Sequence, residues 1–524
     1  MPTWIEPTFR FTQGLDPIGL RALTAGRIVV PLVPGILALS DRARYLSLYA
    51  WLLRRYAEQH RSPTMGALST YLLRREFEFG VAVRLCGRCD SRPVGMDRIG
   101  PAVARRPDAY ERNESVKSSL GGYGLYYRTP MRVMDLVRLP GTTLGDAPIA
   151  VDVLNRGQPR AVELADAFDA AVRNTAYVRD GHIDADGPVP ASVLAEFGAA
   201  ACLCRLDEHP GERGVLRRVY LERTEGEANE DVRSRREALA LVLNLLDRGF
   251  PVHLRDAELR WAVWAVFESG DPGGAVRRRA LARWAALSAL NFVQDGINLL
   301  WVDGGRTLAK ADRGTGLAWP DVHEALMELA DAGELDIGGR AVPCASSIPA
   351  TELRAAVADA TRGLSMREID LWAVADGRAA AGLALILAVL ARLPDPDEAG
   401  PDWVRVGAVN GDWQPGLLTL ARNVADFLEG LPSTGHLLSW LFEHLVLRAH
   451  ESNAYSKLPD FTFRWRWEAG RLRFYPHGID WDVLADLRSA SMASILLDLG
   501  LIAADGDMRV VTDDGRALVA EVFA

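Results

Sequence analysis

Apolar positions recur at steps of three and four residues through most of the chain, which predicts helices in series. Asp16 to Pro31 carries Ile18, Leu20, Leu23, Ile28 and Val29, with Gly19 and Gly26 weakening it as a helix. Ser40 is a candidate N-cap and Asp41 suits the positive helix end, so a helix is expected from there to about His60, stopped at Ser62-Pro63. Two stripes run along it. Tyr45, Leu48, Leu52 and Tyr56 read as core, whereas Arg44, Ser47, Trp51 and Arg55 mix charge with a large ring. From Thr64, a second helix sets Met65, Leu68, Tyr71, Leu72, Phe77 and Phe79 against Arg74, Arg75, Glu76 and Glu78, the pattern of a charged outer surface.

Beyond a Gly/Pro-rich loop at 140–159, further helical patterns cover 160–178, 238–246, 259–267 and 277–301. The apolar run from Ala379 to Ala391 is too short to span a bilayer and reads as a buried helix. Two stretches, Trp319 to Val342 and Leu484 to Val522, each follow a helix with a glycine break and a short β-like tip. In the second, a closing helix follows, an order that resembles the end of bacterial winged-helix domains. Between them, Phe461, Phe463, Trp465 and Trp467 alternate with Thr462, Arg464, Arg466 and Glu468, turn at Ala469-Gly470, and resume with Leu472 and Phe474. This predicts a β-hairpin with one apolar and one cationic face.

At 524 residues, with 49% hydrophobic and 25% charged residues, the chain is expected to fold throughout, into about three domains. The fold class is mainly α: a multi-domain helical protein with one or two winged-helix-like modules and a short β-hairpin near the C-terminus. The boundaries expected are 1–145, a basic domain with the arginine/aromatic helix; 146–345, a helical middle domain ending in a candidate winged-helix module; and 346–524, helical, with the hairpin and the terminal module.

Charge sharpens this division. The net charge is −9, yet basic residues exceed acidic ones by about nine in residues 1–141. Arginines and rings are interleaved there, and Lys117, Tyr123, Tyr126, Tyr127 and Arg128 repeat the theme in a glycine-tyrosine segment. Aromatic platforms beside cations suit stacking on unpaired bases and clamping of a phosphate backbone. The expected nucleic-acid-binding set is therefore Arg42, Arg44, Trp51, Arg54, Arg55, Arg74, Arg75, Arg105, Arg106, Lys117, Tyr123, Tyr126, Tyr127 and Arg128. The same pattern also fits a packed corner whose tyrosines close a core. The terminal module is acidic, with Asp480, Asp482, Asp486, Asp498, Asp505, Asp507, Asp513, Asp514 and Glu521 against Arg488, Arg509 and Arg516. Phosphate would be repelled there, so it reads as a protein-docking element.

Catalytic and metal motifs are sparse. Five cysteines, no secretion signal at the start and no bilayer-length apolar run point to a reducing, cytoplasmic setting. Cys86-Gly-Arg-Cys89 has a metal-like spacing but supplies only two ligands. Cys202 and Cys204, over a hundred residues on and one residue apart, look like the wrong grip for a second half-site, so no metal or other cofactor is assigned. Asp184 and Asp186 read as an ordinary turn, and His436, His444 and His450 as packed or capping residues. No phosphate-binding Gly-Lys-Ser/Thr loop, Gly-x-Ser-x-Gly elbow or His-Glu-x-x-His helix occurs.

Pro34-Gly35, Arg42, Arg44, Tyr45 and Trp51, followed by the Gly-Tyr/Tyr-Tyr element leading into Val133 to Val137, resemble an uncharacterised group of bacterial proteins found among phage-defence genes. The resemblance covers chiefly the first 140 residues and implies a defence context without catalytic residues. The resulting expectation is a non-enzymatic sensor or scaffold subunit that contacts nucleic acid through its N-terminal domain and other subunits through the acidic C-terminal module. A metal-dependent nuclease or hydrolase with dispersed carboxylates, and a structural assembly subunit binding only protein, remain as alternatives.

Overall fold

The computed structural model describes residues 10–12, 14–59, 61–89, 91–144, 147–222, 228–270, 275–475, 477–482, 486–506 and 508–524. The chain is mainly helical, with small sheets of two or three short strands. Its packing forms two units, each assembled from separate stretches: 1–29 with 257–487, and 30–256 with 488–524. These differ from the sequential division at 145 and 345, because the final stretch of chain returns to pack with the unit that begins at residue 30. Local sequence carries no signal for such a return.

In the unit formed by 30–256 and 488–524, the Arg44–Glu58 helix packs on the Pro159–Val172 helix, and the Met65–Leu85 helix on the Ala191–Ala201 helix. The Arg44–Glu58 helix starts later than expected. Ser40 instead closes the preceding turn, its hydroxyl accepting from Leu37 N at 2.7 Å, and the helix receives its anion from afar: Asp498 Oδ2 accepts from Ala43 N at 2.8 Å. The Met65–Leu85 helix is not the charged outer surface expected, since Arg75, Glu76 and Glu78 are all buried. Apolar residues surround it, as its Phe77, Phe79, Val81 and Val83 indicate, and such a helix lies inside. The chain closes with the Ser489–Asp498 helix, the antiparallel pair Ile502–Asp505 and Met508–Val511, and the Asp513–Phe523 helix on the Asn229–Asp247 helix. Asp507 lies outside the described residues.

The unit formed by 1–29 and 257–487 is built on the long Ala275–Leu299 helix, against which the Ala379–Leu390 and Pro401–Gly407 helices pack. Every residue from Ala379 to Val389 is buried, and among the described residues no helix is long and apolar enough to cross a membrane. Trp319–Glu328, the antiparallel pair Gly333–Ile337 and Arg340–Cys344, and Ala350–Ala360 form a helix, strand, strand, helix series. Trp465–Glu468 and Arg471–Phe474 also pair antiparallel, with Leu317–Ala318 as a third strand. Arg464, expected on a cationic face, is buried: its Nε donates to Gly478 O and its Nη1 to Thr462 O, both at 2.9 Å.

Candidate functional site

The arginine and aromatic stripes do not make an outward surface. Arg44 is fully buried, its Nη2 2.9 Å from Glu212 Oε2, and Trp51 is buried with Nε1 donating to Asp169 at 2.9 Å. Arg42 pairs with Asp498 at 2.8 Å, Arg54 with Asp166, and Arg55 with Asp184 at 2.6 Å. Arg74 stands 3.9 Å from Asp186, and buried Arg75 lies 3.6 Å from Glu78. Acidic partners that looked unrelated in the sequence thus neutralise most of the expected cations.

The glycine-tyrosine segment is organised by one buried carboxylate that the sequence did not single out. Glu76 accepts from Tyr49 Oη at 2.7 Å, Gly122 N at 2.9 Å, Tyr123 N at 2.7 Å and the Ser115 hydroxyl. Burial pushes its carboxyl above the usual range although these donors favour the ionised form. Residues 123–127 wind as a π-helical turn, and Gly121, at φ +62°, sits where a Cβ would overlap Glu76. Tyr123 is buried and donates to Asp152 at 2.9 Å; Arg128 pairs with the same carboxylate at 2.6 Å. Tyr127 is also buried and Tyr126 half-buried, so the tyrosines close a core. Arg105, Arg106 and Lys117 alone of the expected set are exposed with no ion-pair partner among the described residues.

The four cysteines judged unable to cooperate are brought together. The Met65–Leu85 helix ends at Cys86, Gly87 turns the chain at φ +70°, and Cys89 folds back beside Cys86. Opposite, the Ala191–Ala201 helix ends at Cys202, whose extended backbone (φ −56°, ψ 145°) turns the chain into a 3-10 helix over Leu203–Glu208, and Cys204 sits in the first turn of that helix. All four Sγ atoms lie within 4.8 Å of one another. Spacing alone concealed this, because the second pair is presented by the turn from one helix into a short 3-10 helix. Burial raises the Cys202 thiol and pushes Cys204 up to about 12; for Cys89, burial is outweighed by Ser91 and the neighbouring thiols, leaving it at about 7. A cavity of 590 Å³ adjoins the cluster, lined by Arg42, Cys204, Asp207, Arg213, Asp498 and Thr512 among others.

In the other unit, a 450 Å³ cavity gathers Asp16, Asp460, Asp480 and Asp482 with Arg21 and Arg464. Asp16 caps a helical turn through Arg21 N and Ala22 N at 3.0 and 2.9 Å. Burial, then Asp16, push the Asp482 carboxyl up to about 7. The histidines occupy separate structural roles: His436 meets Ser433 Oγ at 2.8 Å, His444 meets Trp440 O at 2.9 Å, and buried His450 bridges Pro17 O and Arg464 N, both at 2.9 Å. Asp184 and Asp186 face arginines, as a turn would allow.

Compared with known proteins, the chain matches no family model, no curated protein and no solved structure.

Proposed function

We propose that the protein is a cytoplasmic binding subunit that docks another protein chain through its C-terminal module, a winged-helix arrangement adapted to protein contact. The observation that carries this reading is an apolar pair on the terminal strand. Met508 and Val510 are 53% and 44% exposed, side by side on one face of Met508–Val511, with exposed Asp505, Asp513 and Asp514 nearby in the chain. A partner offering an apolar anchor within a basic rim fits that surface. The setting we propose is a bacterial anti-phage assembly, which the N-terminal resemblance implies. The sensor role in nucleic-acid contact now rests on Arg105, Arg106 and Lys117.

The test is affinity purification of the native chain from its own cells beside Met508→Glu/Val510→Glu. One stoichiometric protein partner, retained by the native chain and lost from an equally stable variant, supports the reading. Identical recovery with both chains removes it.

A second reading, a hydrolase or nuclease, is favoured by the four aspartates brought to one cavity from distant stretches. It requires divalent-metal-dependent turnover that disappears in Asp482→Asn.

A further inference from the structure

The cysteine cluster is the tightest convergence of ligand-type side chains among the described residues. Neighbouring sulfurs stand 4.0 Å apart for Cys86 and Cys89, 3.7 Å for Cys86 and Cys204, and 3.6 Å for Cys89 and Cys202. A disulfide requires about 2.0 Å, so these are separate thiols. A tetrahedral ion with metal–sulfur bonds of about 2.3 Å sets its sulfurs about 3.8 Å apart. These three separations match edges of such a tetrahedron, and the remaining pairs stay within 4.8 Å.

We propose that Cys86, Cys89, Cys202 and Cys204 bind one zinc ion as a closed structural centre. Four thiolates form a soft ligand set that disfavours magnesium, calcium and manganese, and they fill a four-coordinate ion, leaving no position for substrate. Bridged iron–sulfur clusters hold their thiolates on different irons and so farther apart than this cluster. Binding holds all four cysteines as thiolates and releases to solvent the protons of those still in the thiol form, while the zinc remains divalent.

The surroundings are built for the task. Arg88 N points at Cys86 Sγ at 3.4 Å, a backbone donor of the kind that stabilises a metal-bound thiolate. The two loops are tied from outside the cluster as well: Arg88 pairs with Asp207 at 2.8 Å and with Glu208. From inside, Arg44 donates to Cys202 O and Arg42 to Leu203 O at 3.0 Å. Two arginines expected to meet nucleic acid therefore hold the backbone that presents the second thiol pair. The ion would join the end of the Met65–Leu85 helix to the end of the Ala191–Ala201 helix, closing a long loop of chain.

The test is elemental analysis of the full chain, purified under reducing conditions without chelator, followed by replacement of the bound ion with cobalt. One zinc per chain is expected, together with the thiolate-to-cobalt charge-transfer and tetrahedral ligand-field absorption of a four-sulfur site. Cys89→Ser/Cys204→Ser should lose the zinc, and Cys344→Ser, which alters a buried thiol outside the cluster, should keep it. Should the double variant fail to fold, the cobalt spectrum of the native chain decides. A reduced native chain that takes up neither zinc nor cobalt, one that carries stoichiometric iron instead, or a double variant that retains stoichiometric zinc overturns the proposal.

Discussion

Arg44 and Glu212 form a fully buried, two-pronged ion pair, with Nε 3.2 Å from Oε1 and Nη2 2.9 Å from Oε2. The pair joins the first turn of the Arg44–Glu58 helix to the first turn of the Pro210–Leu221 helix. Its geometry makes the arginine stripe a fastening within one unit. A buried guanidinium with both prongs engaged has nothing left to offer phosphate.

Glu76 holds the glycine-tyrosine segment in the same way, through four donors. Glu76→Ala would leave buried N–H and O–H groups without acceptors and is expected to destabilise by about 3 kcal/mol or more. Glu76→Gln keeps one acceptor and should lose less. Urea unfolding followed by tryptophan fluorescence checks the order.

Gly198 faces the Met65–Leu85 helix so closely that a Cβ would overlap the Ala82 carbonyl oxygen. Gly198→Ala should separate two helices that each end at a cysteine pair, costing about 2–3 kcal/mol. With the zinc centre in place, the same change should raise the rate at which a chelator removes the ion, read with a colorimetric zinc indicator.

Asp482 gives the other unit a defined pH response. Its folded carboxyl titrates near 7 against an ordinary value of 3.8, so the folded state holds a proton that the unfolded state has released. Its stabilising contribution is full below the ordinary value and is lost as pH rises through the folded one. Asp16 adds to the upward push, and Arg21 and Lys457 oppose it. His450, lowered to about 3 by burial, acts in the opposite sense, so the informative quantity is a difference between chains. Relative to the native chain, Asp482→Asn should gain stability as pH rises between about pH 4 and about pH 7 and level off above that, measured by denaturant melts at each pH.

The proposed nucleic-acid contact should ignore the buried stripe. In a salt series with single-stranded and duplex DNA, Arg105→Glu/Arg106→Glu/Lys117→Glu should remove any binding and flatten the salt slope. Arg54→Gln, whose guanidinium pairs with Asp166, should leave the affinity unchanged.

The helical class was legible because its apolar spacing is local, as the Pro159–Val172 and Ala379–Leu390 helices show. The role of the arginines was not. Arg44, Arg42 and Arg128 are paired with Glu212, Asp498 and Asp152, and nothing in the local pattern couples such distant positions. The apolar residues surrounding Glu76 and Glu78 did carry a usable signal: a carboxylate flanked by phenylalanines in a helix apolar on every side is an interior group. The one-residue gap between Cys202 and Cys204 gives no local sign of a ligand pair, because it is the turn from the Ala191–Ala201 helix into the 3-10 helix of Leu203–Glu208 that brings both thiols to the cluster.

Thermal unfolding of Arg44→Met, Glu212→Leu and the double variant tests most directly whether the stripe is interior. Each single change strands a buried charge and should lose about 4 kcal/mol, whereas the double variant, with neither charge, should recover much of that loss. Singles as stable as the native chain, or losses that simply add in the double, would contradict the pairing and return Arg44 to the surface.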